Sequence, residues 1–410
     1  MSQHAHEAHA HHATGGGACG GACGGGSCSR VTGRAAVAAP PGIDLDSRPI
    51  LVFWETTKAC GLRCRHCRAE AQPVARPGEL AHGQGLAFLD SLTSFGRPYP
   101  VVVFTGGDVL MRARLLDLID HAVRLGLPVA AAPSVTGLLA PGSLGELREH
   151  GVKVASISLD GATPDTHDAV RGIPGHFQDT VAALRQVRDA RITLQVNTVV
   201  LRDTVEDLPE VARILHAADA GIWEVFFLVQ TGRGSSLAEL KPEECRDVCH
   251  FLWDASRYGF VVRTVEGPWF RVVAKQRQAA PPDADPAELF GLGPLYRRLS
   301  TGLREALGEP LAASKAQTKG TRDGRGIVFV GHDGTVAPAG FLPLALGNVT
   351  EQPLADIYRE HPLLRSIRAV EFTGACGACE HRTLCGGSRA RAFATGGDPL
   401  GTDPACWLAA

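Results

Sequence analysis

Between Pro49 and about Gly234 the chain alternates short apolar runs with longer amphipathic ones. ILVFWE, VVVFTGG, VAAAPS, VASISLD, LQVNTVV and WEVFFLV are rich in β-branched and aromatic residues and nearly continuous in apolar character. That pattern predicts buried parallel strands. GQGLAFLDSLTSF, RARLLDLIDHAVRLG, GSLGELREHG, HFQDTVAALRQVRDA and LPEVARILHAADAG lie between them with helical spacing, and several stop at glycine. Strand–helix alternation of this kind predicts an α/β fold of parallel β/α units. Functional groups then gather at the C-terminal ends of the strands.

From about Ser235 the pattern weakens. KPEECRDVCHFLWDASRYG predicts one amphipathic helix, with Cys245 and Cys249 four apart on one face. No third ligand is near in sequence, so the two read as a half-buried apolar pair. AAPPDADPAELFGLGPLYRR holds too much proline and glycine for an assignment and reads as a cover or an insertion. From Gly326, GIVFVGHDGTVAPAG predicts a hairpin turning at Asp333-Gly334. The expected organisation is a low-complexity tail over 1–45, a core over 46–234, a helical linker or insertion over 235–325, and a cysteine-bearing domain over 326–410.

Composition narrows this without changing it. The 410 residues are 44% hydrophobic and 20% charged with a net charge of −2, as in ordinary soluble globular proteins. No general attraction to nucleic acid or membrane follows from such a balance. No apolar run approaches the ~18 residues that span a bilayer. The start, MSQHAHEAHAHHATGGG, has no apolar core and is not a secretion signal. With twelve cysteines in a long chain lacking an export signal, reduced thiols in the cytoplasm are expected rather than disulfides. His4, His6, His9, His11 and His12, then Cys19, Cys23 and Cys28 among glycines, make the tail compositionally extreme. It reads as an unstructured leader, with metal capture its one specific alternative.

Seven cysteines fall into two groups with metal-ligand spacing. Cys60, Cys64 and Cys67 stand as C-x-x-x-C-x-x-C in WETTKACGLRCRHCRAE. Three thiolates hold three corners of a four-iron cluster and leave one iron open, whereas buried electron-transfer clusters take four protein ligands. A zinc knuckle with His66 as fourth ligand is the competing reading. His66 lies between two of the ligands, where a side chain usually points elsewhere. Zinc also leaves unexplained the strand VVVFT running into Gly106, Gly107 and Asp108. The second group is Cys376, Cys379, Cys385 and Cys406. Its spacing leaves a structural zinc and a four-cysteine iron–sulfur cluster both open.

Together these motifs resemble the radical S-adenosylmethionine (SAM) superfamily with a SPASM or twitch extension. The resemblance runs from about Pro49 to Pro404 and is densest in WETTKACGLRCRHCRAEA, TGGD, SISLDGATPDTHDAVRGIPG, QVNTVV, FFLVQTGRG and CGGSRARAFATGGDPLGTDPAC. Within the superfamily it is similar to the tetrapyrrole-modifying enzymes, the haem synthase and the haem d1 maturases, and to an actinobacterial-type sibling group of undefined substrate. The resemblance implies a partial (β/α)6 TIM-like barrel with a C-terminal auxiliary iron–sulfur domain. It implies that Cys60, Cys64 and Cys67 bind the catalytic [4Fe-4S] cluster, whose open iron holds the amino and carboxylate groups of SAM. Gly106, Gly107 and Asp108 would grip the methionyl amino group, with Asp108 ionised. Ser158 and Asp160 would face the SAM ribose and carboxylate, Arg171 would pair with that carboxylate, and Asn197 would complete the lining. Arg233 would touch SAM or substrate. Cys376, Cys379, Cys385 and Cys406 would bind one auxiliary [4Fe-4S] cluster. Two departures stand out: Pro338-Ala339 replaces a Pro-Cys pair, and Ser388 stands where relatives often have a cysteine.

The implied chemistry is reductive cleavage of SAM to a 5′-deoxyadenosyl radical, which abstracts hydrogen from a substrate carbon. No catalytic side chain is expected beyond the cluster and SAM. The electron comes from an external one-electron donor such as ferredoxin or flavodoxin. The substrate is a tetrapyrrole side chain, with Arg389 and Arg391 as partners for propionates or else surface charges. Peptide modification is the alternative, and an iron–sulfur scaffold the non-enzymatic one. Neither nucleic acid nor membrane is an expected partner.

Overall fold

The computed structural model describes residues 43–310, 312–317 and 320–408. The His/Cys-rich segment, with Cys19, Cys23 and Cys28, lies outside them.

All six expected strands form: β1 (Leu51–Glu55), β2 (Val101–Thr105), β3 (Val129–Ala131), β4 (Val154–Ser158), β5 (Thr193–Val200) and β6 (Ile222–Phe227). A seventh, β7 (Val261–Val265), extends the parallel series into the stretch read as a helical linker. The hairpin also forms, as β8 (Ile327–Val330) and β9 (Thr335–Ala337), with Gly334 at φ +84 in the turn. The short β10 (Gly347–Asn348) follows. The strands join one open, ten-stranded sheet in the order β10-β9-β8-β1-β2-β3-β4-β5-β6-β7. Every neighbouring pair from β8 through β1 to β7 is parallel.

The two faces of this sheet differ. Val52, Trp54, Val102, Phe104, Ala155, Ile157, Val196, Trp223, Val225, Val262 and Val328 are completely buried and join the main hydrophobic core with residues of the flanking helices. Strand geometry sends alternate residues to the opposite face. There Phe53, Val101, Ser158, Asn197, Phe226 and Arg263 are only half-buried, so this face lines an open lumen. The stretch read as a cover or insertion contributes the helix Pro294–Leu307, whose Leu295, Tyr296, Leu299 and Leu303 join the same core. Cys245 and Cys249 are buried on the helix Pro242–Ala255 and also belong to it.

Candidate active site

The loop after β1 carries Cys60, Cys64 and Cys67, and the turn after β2 locks it in place. Gly107 N–H donates to the Thr57 carbonyl (2.8 Å) and Asp108 N–H to the Ala59 carbonyl (2.6 Å). The β1–β2 ladder thus continues past the strands into the cysteine loop. Glycine is required at this closeness: a Cβ on Gly107 would lie 2.3 Å from the Ala59 oxygen, and one on Gly106 2.5 Å from the Thr57 oxygen. Gly107→Ala is therefore expected to displace the loop and lower the iron content of the reconstituted protein. Iron analysis beside an unchanged far-ultraviolet spectrum checks this, and full iron content in the variant contradicts it.

Arg233, after β6, holds the loop from the other side. Its backbone N–H reaches the Cys67 carbonyl (3.1 Å), Nε the Cys64 carbonyl (3.0 Å) and Nη1 the Ala71 carbonyl (3.1 Å). Its side chain is thereby spent on the loop. The sulfurs receive donors of their own: Leu62 N–H to Cys60 Sγ at 3.4 Å and Arg171 Nη1 to Cys64 Sγ at 3.5 Å. Burial, with Cys64 and Asp108 behind it, pushes the Cys60 thiol up despite its Leu62 and Ser134 hydrogen bonds. A metal would supply the positive charge that a thiolate needs here. The His66 imidazole faces Asp160 through Nε2 (3.8 Å).

Asp108 differs from the direct grip on SAM implied by the resemblance. Its carboxylate has no exposed surface and accepts from Leu110 N–H (3.1 Å), Ser134 N–H (3.3 Å) and Thr136 Oγ1 (2.8 Å). Burial raises its pKa against those three hydrogen bonds. Asp108 thus ties the β2 turn to the loop after β3, where Ser134 Oγ donates to the Gly107 carbonyl (3.0 Å). What the turn offers a ligand is backbone.

Asp160 and Arg171 come together after β4. The sequence TPDTHDAVRG makes the helix Pro164–Arg171: Thr163 caps it by accepting from Thr166 N–H (3.2 Å), Pro164 opens it, and Gly172 ends it at φ +73. Arg171 is thereby aimed back at the cysteine loop. Its Nη2 lies 2.6 Å from Asp160 Oδ2, and both side chains are buried. The other Asp160 oxygen accepts from Val199 N–H (2.8 Å). Burial would raise the Asp160 carboxyl, but the Arg171 charge, helped by His66 and His167, holds it below the usual carboxylate range.

Sequence reasoning missed a histidine pair behind this ion pair. Asp160 N–H donates to His167 Nδ1 (3.1 Å), which leaves the His167 proton on Nε2 to bond His176 Nδ1 (2.9 Å). His176 Nε2 in turn donates to the Val135 carbonyl (2.9 Å). Tautomers assigned from this network satisfy both rings in their neutral form. Burial, then the Arg171 charge, pushes His167 down to about 3 and lowers His176. The chain of bonds links the loops after β3 and β4. Its one sequence signal was the pair of histidines nine apart in THDAVRGIPGH.

His66 Nδ1, Asp160 Oδ2, and Arg171 Nε and Nη2 are buried without a hydrogen-bond partner, the 2.6 Å ion-pair contact lacking hydrogen-bond alignment. Orphaned groups of this kind beside three cysteines fit a bound ligand with both a carboxylate and hydrogen-bonding polar groups. Ser158 and Asn197 are register neighbours on the lumen face. Asn197 Oδ1 accepts from Gln195 Nε2 (2.8 Å), which also reaches Glu224 (2.9 Å), and Glu224 pairs with Arg263 at 2.6 Å. Across the lumen Arg68 pairs with Glu55 (3.1 Å) and lies over the Phe329 ring at 4.5 Å, with Phe341 at 5.9 Å.

In the C-terminal region Cys376, Cys379, Cys385 and Cys406 line a single cavity. Asp403 N–H and Arg389 Nη2 each reach Cys376 Sγ at 3.4 Å, His381 N–H reaches Cys379 Sγ at 3.3 Å, and Gly387 N–H reaches Cys385 Sγ at 3.4 Å. A Cβ on Gly387 would lie 2.9 Å from Cys376 Sγ. Four cysteines lining one cavity, with N–H groups aimed at three of their sulfurs, fit a four-cysteine cluster. Arg389 and Arg391 correct the sequence reading: both are 1% exposed, neither a surface charge nor open to a propionate. Arg391 bonds the Glu266 and Leu228 carbonyls (3.1 and 2.9 Å) and pairs with Asp403 (3.3 Å) and Glu239 (3.2 Å). Ser388 caps the helix Arg389–Gly396 and donates to Glu266 Oε2 (2.5 Å).

The radical SAM superfamily model matches residues 54–215, and the SPASM iron–sulfur cluster-binding domain matches 322–380. An AdoMet-dependent heme synthase of Nitratidesulfovibrio vulgaris is 32% identical over 87% of this chain and 91% of its own length. The chain belongs to the radical SAM superfamily. The mycofactocin maturase MftC of Mycobacterium tuberculosis H37Rv is 28% identical over 87% of this chain and 83% of that protein. Among solved structures, Streptococcus suis SuiB bound to S-adenosylmethionine superposes with a TM-score of 0.62 at 14% identity, covering 88% of this chain and 78% of that one. At that identity the likeness establishes the partial-barrel fold alone. As a radical SAM enzyme with a SPASM domain, the protein uses SAM, a catalytic four-iron cluster and auxiliary iron–sulfur chemistry. Among the described residues no helix is long and apolar enough to cross a membrane.

Proposed function

We propose that this radical SAM enzyme oxidatively modifies a tetrapyrrole side chain. The observation that carries the reading is the similarity to a heme synthase over 87% of this chain. The lumen is compatible with it: Phe226 and Phe341 (6.0 Å apart) form an apolar wall. Cys60, Cys64 and Cys67 would hold the catalytic cluster. Arg171 would turn its unsatisfied N–H groups to the SAM carboxylate beside Asp160. The Gly106–Gly107 backbone, fixed by Asp108, would take the amino group, and Ser158 and Asn197 would line the ribose. Cys376, Cys379, Cys385 and Cys406 would hold one auxiliary cluster. When bound, SAM and the catalytic cluster supply a 5′-deoxyadenosyl radical for hydrogen abstraction. The protein orients the substrate carbon and keeps water out. An external one-electron donor of the ferredoxin or flavodoxin class and a cytoplasmic location complete the reading.

Peptide modification is the second reading, favoured by the likeness to MftC. Anaerobic incubation with SAM, reductant and either iron–coproporphyrin or candidate peptides separates the two. Loss of carbon dioxide from the porphyrin, seen by mass spectrometry with stoichiometric 5′-deoxyadenosine, is expected. Turnover of the peptide alone would overturn the tetrapyrrole reading. About eight irons per chain are expected from three plus four cysteine ligands.

A further inference from the structure

Three arginines bind the backbone around the four-cysteine cavity, and among the described residues none of them forms a salt bridge. Arg271, on the helix Phe270–Ala279, donates to the Leu384 carbonyl (3.4 Å) and to that of Thr321. Arg322 donates to the carbonyls of Arg382 (3.5 Å) and Thr383 (2.5 Å), and its buried Nε has no partner. Arg389 donates to the carbonyls of Pro399 (3.1 Å) and Gly401 (2.7 Å) and to Cys376 Sγ, with its guanidinium over the Phe372 ring at 4.5 Å. Arg382, Thr383 and Leu384 immediately precede Cys385, so Arg271 and Arg322 grip the loop between two of the cysteines. Carbonyls satisfy the N–H groups but leave the charge. Burial, then the neighbouring charges of Arg271 and Arg325, lowers Arg322 to about 10.

The acids nearby do not cancel this charge. Asp403 is taken by Arg391. Burial, then Asp323, raises the Glu266 carboxyl well above the usual carboxylate range. Burial likewise raises the Asp323 carboxyl, which faces Arg389, Arg271 and Arg391. The three-cysteine loop has a cation of the same kind in Arg233, bonded to the Cys64 and Ala71 carbonyls, beside Arg171, which is paired with Asp160.

A cluster held by four thiolates is anionic and becomes more so on gaining an electron. Its potential follows net charge, hydrogen bonds to sulfur and exposure. Unpaired cations a few ångströms away favour the reduced form. We propose that Arg271, Arg322 and Arg389 raise the reduction potential of the C-terminal cluster. The proposal rests on the four-cysteine cluster assignment made above.

The test is a redox titration, followed by electron paramagnetic resonance, of full-length protein reconstituted with iron and sulfide. The signal that SAM perturbs belongs to the three-cysteine site, and the insensitive one to the C-terminal site. Arg271→Gln and Arg322→Gln should each lower the potential of the insensitive signal by at least tenfold in the reduction equilibrium, ~59 mV for one electron. Arg271→Lys and Arg322→Lys, which keep the charge, should stay near the parent value. Loss of the second cluster in both glutamine variants but neither lysine variant would also support the charge role. Loss in all four would overturn it in favour of a purely geometric one. Unchanged potentials in both glutamine variants, with iron intact, would overturn the proposal alone. Stoichiometric zinc in the parent protein would overturn the cluster assignment and the proposal with it.

Discussion

Cys64→Ala is expected to reduce 5′-deoxyadenosine formation to background. Cys64 is buried, its sulfur takes the Arg171 hydrogen bond, and it stands between the other two cysteines of the loop. With two thiolates left, a four-iron cluster has no stable seat, and iron should fall from about eight to about four per chain. The fold should persist, because the loop backbone is held by contacts that do not use the sulfur: Cys60 N–H to the Gln72 carbonyl (2.7 Å) and the Arg233 bonds. Product assay, iron analysis and circular dichroism together check this. SAM cleavage at the parent rate would refute the assignment of this loop as the catalytic centre.

The largest loss of stability is expected for Asp160→Ala. That change leaves the Arg171 charge buried without its partner, at a cost of ~3–5 kcal/mol. It also frees the Val199 N–H that Asp160 caps. A chemical-denaturation midpoint measures the loss, and a change under 1 kcal/mol would mean that water reaches Arg171. The sign of the pH dependence follows from the depressed carboxyl. The folded-state pKa lies below the unfolded value of about 3.9, so the contribution is complete above about pH 4 and disappears as pH falls through the folded value. Between pH 5 and 8 the pair should add no slope to stability. His167 should add one: its folded-state pKa is pushed down to about 3 while the unfolded imidazole titrates near ~6.5, so the unfolded chain takes up a proton the folded one refuses and stability should fall as pH drops below about 6.5.

Much of the scaffold was legible because the strands and helices carry strong local periodicity. All six barrel strands were found, and so was the hairpin turn at Asp333-Gly334. β7 escaped because VVRTV is short and sits beside Gly267-Pro268 in a stretch with little alternation. The helix Pro164–Arg171 escaped because PDTHDAVR is short and mostly polar, and its caps decide it. The polar lumen was hidden inside LQVNTVV and WEVFFLV. There Gln195, Asn197 and Glu224 alternate with buried apolar residues, yet each run reads as nearly continuous. Cysteine spacing named all seven candidate ligands. It carried no trace of what surrounds them, since Arg171, Arg271 and Arg322 approach from distant segments and arginine has no spacing rule. Arg389 and Arg391 were conspicuous in sequence and wrongly placed, because local polarity does not reveal a buried network.

The hydrogen bonding of β8 to β1 constrains the order in which this protein can be made. The strand that leads into the catalytic loop has β2 on one side and, on the other, a strand from near the far end of the chain. A ribosome releases β1 and the three cysteines long before β8 exists. Until then β1 presents an unpaired edge, a hazard for association with other chains. Non-local pairing of this kind also slows folding. The catalytic loop therefore gains its final support only after translation is nearly complete, so stable loading of its iron should be a late, post-translational event. A truncated chain lacking β8 should not be a smaller enzyme but an exposed sheet edge.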